Sequence, residues 1–173
     1  TPHDALALHV ALVIGDRSRS TLGAMSVCDN TTLSSLDRWR VQPTRERARV
    51  ATRARELMLE APSLDAALEH LSGGNQQKVV LMRALETQPR VLLLDDPTRG
   101  VDVTAKADVH RLVAKLAAAG TSVLFHSSEL DELVAHAHRV VVMAQGAIVG
   151  VLDTGDVTRD NILALAMSQP QSL

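Results

Sequence analysis

The sequence predicts an α/β fold in which parallel strands alternate with helices. The first observation is a continuous apolar run, Val91-Leu92-Leu93-Leu94, which is typical of a parallel strand buried on both faces. The second is that further apolar runs at 10–14 and 122–126 alternate with segments whose apolar residues recur every three or four positions. The third is length and composition, because 173 residues with 46% hydrophobic side chains suffice for one core.

The N-terminal half of the chain is predicted to be one strand followed by helices. Val10–Ile14 is predicted as a short strand and 26–39 as a helix. A Pro-Thr pair then opens a long helix, predicted over 43–60, with Thr44 as the expected N-cap. A Pro-Ser pair interrupts this helix, so that 64–70 is expected to form a separate short helix.

The C-terminal half alternates helices with strands and then ends in a hairpin and a helix. Gly120 is expected to end one helix, because glycine is common just after a helix C-terminus. Gln145 and Gly146 form the predicted turn of the hairpin. The predicted helices are 75–85, 104–119, 129–137 and 158–167, and the predicted strands are 91–94, 122–126, 140–143 and 147–151.

Composition argues against several classes of function. The formal net charge of −2 gives no general attraction to nucleic acid, and Cys28 is the only cysteine, which excludes an internal disulfide and fits a reducing compartment. No apolar run approaches the length of a membrane helix, so any membrane role is expected to be peripheral. Arg45, Arg49 and Arg53 share a helix face. A nucleic-acid interface is one interpretation, but a solvated basic face is favoured because no aromatic residues are interleaved.

A glycine pair lies immediately before the predicted helix 75–85. Residues 71–78 read Leu-Ser-Gly-Gly-Asn-Gln-Gln-Lys. The first amides of a helix lack intrahelical acceptors and the helix dipole is positive there, which favours a phosphate group. Gly73 and Gly74 also let the backbone approach a ligand closely, and the Ser72 hydroxyl adds a possible hydrogen bond. The alternative is an ordinary helix N-terminus capped by serine or glycine.

Two carboxylates follow the apolar strand 91–94. Asp95 and Asp96 lie at its carboxyl end, which is where open α/β sheets bind ligands. One carboxylate there can hold Mg²⁺, and a second can orient an attacking water. The alternative is a strand end followed by an Asp-Pro turn. Because the glycine pair and the carboxylates occur in tandem, phosphate chemistry is the favoured interpretation.

These motifs resemble those of the ATP-binding-cassette (ABC) ATPases. Residues 71–78 resemble the signature motif in the form found in monosaccharide importers, 91–95 resemble the Walker B strand, and 97–102 resemble the D-loop segment. The sequence Asp-Pro-Thr-Arg-Gly-Val-Asp-Val, starting at Asp96, is similar to the second cassette of tandem ATPase subunits. The resemblance covers about 10–152 and implies a P-loop NTPase-like fold.

The resemblance also implies a domain organisation. The chain would be a partial cassette, with a partial sheet and an inserted helical subdomain. The helical subdomain with its signature motif would span about 26–75, the Walker B core about 76–152, and a C-terminal helix 153–173.

The resemblance implies roles for individual residues, with ATP and Mg²⁺ as cofactors. Asp95 and Asp16 would contact the metal, and Asp96 and Ser128 occupy the positions of the catalytic glutamate and the switch histidine. In the family, two cassettes pair head to tail, so the signature of one completes the ATP site of the other. The nucleotide-binding residues would be Leu71, Ser72, Gly73, Gly74, Asn75, Gln76 and Asp102.

The chain departs from the family pattern at several places. Asp96 stands in place of glutamate and withdraws the carboxylate by one methylene, and Ser128 cannot charge as histidine does. Gly15 precedes Asp16 where glutamine or glutamate is usual, which is expected to remove a metal or water contact. No segment of the form G-x-x-x-x-G-K-[ST] occurs, so the resemblance implies a cassette without its Walker A loop, expected to be inactive alone.

The predicted function is therefore part of the ATPase of a bacterial carbohydrate importer, energising sugar uptake. Its expected partners are a second cassette, transmembrane permease subunits and, indirectly, a periplasmic or lipid-anchored sugar-binding protein, with no nucleic acid. Its expected place is the cytoplasmic face of the cell membrane. One alternative is a degenerate, non-catalytic cassette that only completes a partner's ATP site, and another is a non-transport ABC ATPase of DNA repair or translation.

Overall fold

The computed structural model describes residues 1–35 and 42–168, and the chain divides into two compact units, Thr1–His126 and Ser127–Leu173. The helices are α1 (Pro2–Ala7), α2 (Val27–Thr32), α3 (Pro43–Glu56), α4 (Gly73–Glu86), α5 (Val103–Ala118), α6 (Leu130–His136) and α7 (Arg159–Ala166). The strands are β1 (Val10–Ile14), β2 (Val91–Asp95), β3 (Ser122–His126), β4 (Arg139–Ala144) and β5 (Ala147–Asp153).

The first unit is built on a parallel sheet in the order β1-β2-β3. Its register pairs Ile14 with Asp95 and Asp95 with His126, so the three strands end at one edge of the sheet. Parallel strands need crossover connections, which the helical segments between them supply. The predicted α/β class and the predicted strands 10–14 and 122–126 are therefore confirmed.

One face of this sheet carries the core and the other is largely open. Leu92 and Leu94 of β2 are buried, whereas the neighbouring side chains on the opposite face, Leu12 and Leu124, are 61% and 65% exposed. The prediction of a strand buried on both faces is therefore wrong for β2. The fully buried side chains of β2 all lie on the face to which Leu92 and Leu94 point, because successive side chains of a strand point to opposite sides of the sheet.

Helix α2 is shorter than the predicted 26–39. Ser26 caps it by accepting a hydrogen bond from the Asp29 amide at 3.0 Å. The hydroxyls of Thr31 and Thr32 bond back to carbonyls one turn earlier, and such back-bonding by β-branched residues weakens a helix. The predicted stretch 36–39 lies outside the described residues.

The segment between α2 and α4 also differs from its prediction. Helix α3 ends at Glu56 rather than near 60, and Thr44 lies inside its first turn, preceded by an N-cap residue with no side-chain cap. The predicted helix 64–70 is reduced to a 3-10 turn, Leu68–His70. Before that turn the backbone is bonded to the start of α2, because the Cys28 amide donates to the Leu64 carbonyl at 2.9 Å. These contacts hold the segment in a turn rather than a helix.

Two of the three arginines on the basic face of α3, Arg49 and Arg53, are paired, whereas Arg45 is exposed. Arg49 Nε lies 2.9 Å from Glu86 Oε2, and Arg53 lies 3.6 Å from the other oxygen of the same carboxylate. The Glu86 side chain is only 4% exposed. This face of α3 therefore packs on the end of α4.

The second unit is a hairpin with helices. Strands β4 and β5 pair antiparallel around Gln145 and Gly146, whose φ angles of +50° and +80° suit a two-residue hairpin turn. Val140, Val142, Val157 and Ile162 form its buried cluster. The predicted hairpin and the terminal helix, found as α7 with Thr158 as its N-cap, are confirmed. In neither unit is a described helix both long and apolar enough to cross a membrane.

Candidate functional site

The start of α4 is organised by Ser72 and Asn75. Ser72 Oγ accepts hydrogen bonds from the Asn75 amide at 3.4 Å and from Asn75 Nδ2 at 3.0 Å. Asn75 Oδ1 accepts in turn from the amide of Glu60 at 2.9 Å, and the Asn75 side chain is buried. The buried asparagine thus fixes the helix start to the loop that follows α3, which leaves the serine hydroxyl at the surface.

The first amides of α4 remain open. The amides of Gly73 and Gly74 donate to no acceptor within the described ranges, as expected at a helix N-terminus. The preceding turn is held by Gln76, whose Nε2 donates to the carbonyl of the buried Leu71 at 2.9 Å. The arrangement can accept an anionic group on backbone amides and one hydroxyl.

Helix α5 begins directly against α4. Asp102 is its N-cap and accepts from the Ala105 amide at 2.9 Å. A Cβ on Gly74 would lie 2.7 Å from Ala105 Cβ and 3.2 Å from Asp102 Oδ2, so only glycine fits there without movement. The structure therefore brings together the predicted nucleotide residues of the signature segment and the predicted Asp102.

Lys78 holds the same two helices together from the interior. Its Nζ donates to Asp108 Oδ2 at 2.8 Å and to the Met58 carbonyl at 3.0 Å. The side chains of Lys78 and Asp108 are 8% and 12% exposed. The hydrogen bond from Lys78, with a smaller contribution from Arg111, lowers the pKa of the Asp108 carboxyl below its usual value. Sequence reasoning had placed Lys78 only within the motif and had missed Asp108.

Asp95 lies at the carboxyl edge of the sheet next to a histidine. His126 is its register partner on β3, and His126 Nδ1 lies 2.9 Å from Asp95 Oδ1. Both side chains are exposed, and Asp95 Oδ2 makes no hydrogen bond to any residue that the structure describes. An exposed carboxylate at this edge fits Mg²⁺, which in nucleotide sites is commonly held by one or two carboxylates and the phosphates.

Asp96 adopts a left-handed backbone conformation, with φ of +51°. Its amide donates to the His126 carbonyl at 2.9 Å, which fixes the turn after β2. The resulting backbone comes very close to Gly15, since a Cβ on Gly15 would lie 2.1 Å from the Asp96 carbonyl oxygen. Glycine at position 15 thus has a steric cause that the sequence did not reveal.

Asp16 is engaged with its own segment. Its Oδ1 accepts from the Ser18 amide at 3.1 Å and from Ser18 Oγ at 2.6 Å. These bonds lower the pKa of the Asp16 carboxyl. No group of three or more metal-binding side chains occurs within 1–35 and 42–168, so the metal pair predicted from Asp95 and Asp16 stays a prediction.

The predicted switch position, Ser128, lies in the second unit and is exposed. The buried hydroxyl of this stretch belongs instead to Ser127, which donates to Glu132 Oε2 at 2.6 Å and accepts from the Glu129 amide at 2.9 Å. The role assigned to Ser128 by resemblance stays a prediction.

Arg17 is a contact that sequence reasoning missed. It follows β1 in the 3-10 helix Arg17–Arg19, and its Nη1 donates to the carbonyls of Gly73 and Gly100, each at 3.3 Å. The sequence carried one signal, the proximity of Arg17 to the Gly15-Asp16 pair, but nothing that identified its acceptors.

Comparisons with known proteins match the chain to one family. A family model described as ABC transporter matches residues 6–99. The chain is 42% identical over 95% of its length to a putative ribose/galactose/methyl galactoside import ATP-binding protein of Pseudomonas fluorescens, of which it covers 33%. It is 40% identical over 96% of its length to a xylose import ATP-binding protein of Photobacterium profundum, of which it covers 34%. The chain thus spans about a third of these relatives.

Solved structures give the same fold. A dimeric ATP-binding cassette in a post-hydrolysis state, bound to ADP and Pi, matches with a TM-score of 0.73 at 21% identity, over 84% of this chain and 62% of that one. A cassette from the cbiONQ ABC transporter complex of Clostridium perfringens matches with a TM-score of 0.74 at 20% identity, over 91% of this chain and 62% of that one. At this level of identity the likeness establishes the fold.

Proposed function

Because the chain belongs to the ABC transporter family, we propose that it is part of the ATP-binding subunit of a carbohydrate importer. Membership of the family implies nucleotide binding. The names of the relatives, which are import ATP-binding proteins for ribose, galactose and xylose, support sugar uptake as the process that this chain energises. The signature, Walker B and D-loop segments are the parts of the subunit that it supplies, within the proposed division into 26–75, 76–152 and 153–173.

The open amides at the start of α4 are the observation that carries this proposal. Gly73 and Gly74 present their amides beside the Ser72 hydroxyl. In a head-to-tail pair of cassettes these groups would hold the terminal phosphate of a nucleotide bound mainly by the partner cassette. Asp102, packed against Gly74, would place the D-loop at the same interface. Binding across the interface would make ATP hold the two cassettes together.

Asp95 is the residue that would hold Mg²⁺ in this chain's own half of the site. A bound Mg²⁺ would neutralise charge on the phosphates. His126 Nδ1 lies 2.9 Å from Oδ1 of Asp95, where a ring N–H donates to the carboxylate and so fixes it, which leaves Oδ2 for the cation. Asp16 is the second proposed metal residue, Asp96 would orient the attacking water, and Ser128 would take the position of the switch histidine.

A second candidate function is a degenerate cassette that only completes the ATP site of a partner. The close approach of the Asp96 backbone to Gly15 favours it, because no side chain can extend from position 15 toward the metal. The hydrogen bonds that occupy Asp16 act in the same direction. In this case the signature segment would contact the partner's nucleotide, and Asp95 and Asp96 would have no role in hydrolysis.

We place the subunit at the cytoplasmic face of the cell membrane, bound to transmembrane permease subunits and to a second cassette. A sugar-binding protein outside the membrane would contact it only through the permease. The alternation of a nucleotide-closed and an open cassette pair would then bias the permease between two states.

ATP turnover by the assembled transporter tests the proposal. Ser72→Ala is expected to lower kcat/KM for ATP by at least tenfold, because it removes a direct phosphate contact. Ser26→Ala is the matched control, since it removes the same type of N-cap from α2 at a similar cost of about 1 kcal/mol. Equal turnover in the Ser72 and Ser26 variants would contradict a role for the signature segment.

Asp96→Asn separates the two candidates. A catalytic cassette is expected to lose most of the turnover at its own site, because the amide cannot act as a carboxylate toward water. A degenerate cassette is expected to keep wild-type turnover in the Asp96 variant while still losing it in the Ser72 variant.

A further inference from the structure

Arg17 connects two loops that lie far from it in sequence. Its Nη1 donates to the carbonyl of Gly73, the first residue of α4, and to the carbonyl of Gly100, in the loop before α5. A single guanidinium nitrogen therefore bridges the signature segment and the D-loop segment. The positively charged guanidinium thus lies between the two carbonyl oxygens.

Arg17 packs tightly against Gly73, whereas Gly100 is favoured by its backbone conformation rather than by lack of space. A Cβ on Gly73 would lie 3.1 Å from Arg17 Cζ and Nη1, and a Cβ on Gly100 would lie 3.6 Å from Nη2. Gly100 also has a φ of +65°, a conformation that other residues rarely adopt. The two glycines thus permit the guanidinium to sit directly against the backbone of both loops.

The backbone of Arg17 is itself anchored to the sheet edge. The Gly15 amide donates to the Asp95 carbonyl at 2.8 Å, which continues the pairing of β1 with β2. Asp16 caps the 3-10 helix through the Ser18 amide, and Thr21 Oγ1 donates to the Arg17 carbonyl at 2.8 Å. The side chain therefore extends from a fixed base.

We propose that Arg17 is a positioning residue that holds the signature glycines and the D-loop as one unit. The inference rests on the proposed function, in which both segments face the nucleotide of a partner cassette. Apart from this bridge, the two segments are connected through the packing of α4 on α5 and the approach of Asp102 to Gly74. With it, a displacement of the segment after β1 moves both nucleotide-facing loops together.

Hydrogen exchange on the full chain tests the bridge without nucleotide. Arg17→Ala is expected to speed exchange roughly tenfold in both 72–78 and 98–103, since each lost bond is long and of modest strength. Arg17→Lys is expected to fall between wild type and Arg17→Ala, because one ammonium can donate to two carbonyls from a shorter side chain. Arg19→Ala is the matched control, being a neighbouring arginine of the same 3-10 helix with no hydrogen bond to either loop.

Each outcome decides the inference. Faster exchange in both segments, with unchanged exchange in β2, supports a bridge between them. A change in one segment only, in neither, or equally across the first unit overturns it, as does the same result in the Arg19 control.

ATP turnover gives a second readout in the assembled transporter. Arg17→Ala is expected to lower kcat roughly tenfold with KM for ATP changed less than threefold, because positioning acts on the reacting complex more than on binding. A rise in KM alone contradicts a positioning role. If Ser72→Ala left ATP turnover unchanged, the proposed function would be contradicted. The hydrogen-exchange result for Arg17→Ala would still be interpretable, because that experiment involves no nucleotide.

Discussion

The buried ion pair between Lys78 and Asp108 allows a quantitative test of how the signature helix is held. Lys78→Met keeps the aliphatic volume of the side chain but removes its charge. Asp108 would then remain as a carboxylate that is only 12% exposed, with Arg111 as its remaining charged partner at 3.0 Å. The Met58 carbonyl would also lose its donor.

The expected cost is about 3 kcal/mol in the free energy of unfolding at pH 7. Breaking a buried ion pair by removing one partner typically costs about 3–5 kcal/mol, because the other charge is left uncompensated. We expect the cost of Lys78→Met at the lower end of this range, because the exposed side chain of Arg111 still neutralises part of the Asp108 charge. Urea unfolding followed by circular dichroism measures this difference.

The difference in the free energy of unfolding between wild type and Lys78→Met is expected to depend on pH. In the wild type the Lys78 hydrogen bond lowers the pKa of Asp108 below its unfolded value, so it contributes stability above about pH 4 that is lost as the pH falls through the folded pKa. In Lys78→Met the main cause of that lowering is gone, and burial acts to raise the pKa. The difference between the two proteins is therefore largest at neutral pH and shrinks below about pH 4.

Lys115→Met is the matched control, because Lys115 lies on the exposed face of α5. It is expected to change the free energy of unfolding by less than about 0.5 kcal/mol. A cost below about 1 kcal/mol for Lys78→Met, or the same cost at pH 7 and pH 3, would contradict a stabilising role of this ion pair.

Other parts of the site lead to further expected outcomes. Gly15→Ala is expected to cost about 1–3 kcal/mol in urea unfolding, because its Cβ would overlap the Asp96 carbonyl oxygen, whereas Gly155→Ala, with open space around it, is expected to be nearly neutral. Arg83→Met is expected to cost about 2–4 kcal/mol in the same assay, because it removes bonds of 2.6 Å and 2.8 Å to the carbonyl and side chain of the buried Asn30. Equal effects for the two glycine variants, or a neutral Arg83 variant, would contradict these assignments.

The strands of the first unit were predictable because their signal is local. A run of apolar residues such as 91–94 has few structural solutions, and the change from apolar residues to Asp95 marks where the strand leaves the core. The helix α4 was predictable to within two residues, since a Ser-Gly-Gly sequence favours a capped helix: it was predicted from Asn75 and begins at Gly73. What the sequence could not show was how much of each face is covered, because that depends on elements packed from elsewhere in the chain.

The errors in the helices have a physical cause of the same kind. The stretch 64–67 has a helical composition, but its backbone carbonyls accept from amides at the start of α2, and Ala67 forms a β-bridge with Ser26. Tertiary hydrogen bonds thus override a weak local preference. The ion pairs of Glu86 with Arg49 and of Asp108 with Lys78 link residues 30 or more positions apart, and no local pattern indicates such partners.

The departures at Gly15 and Asp96 are better understood as one change than as two. The left-handed conformation of Asp96 directs its carbonyl into the space that a side chain at position 15 would need. A longer residue at 15 and the present backbone at 96 therefore exclude each other sterically. Restoring a glutamate at 96 without moving this turn would leave position 15 unable to carry a metal-facing side chain. If Asp96 has the proposed catalytic role, that role would depend on the backbone of the turn after β2 and not only on the identity of one carboxylate.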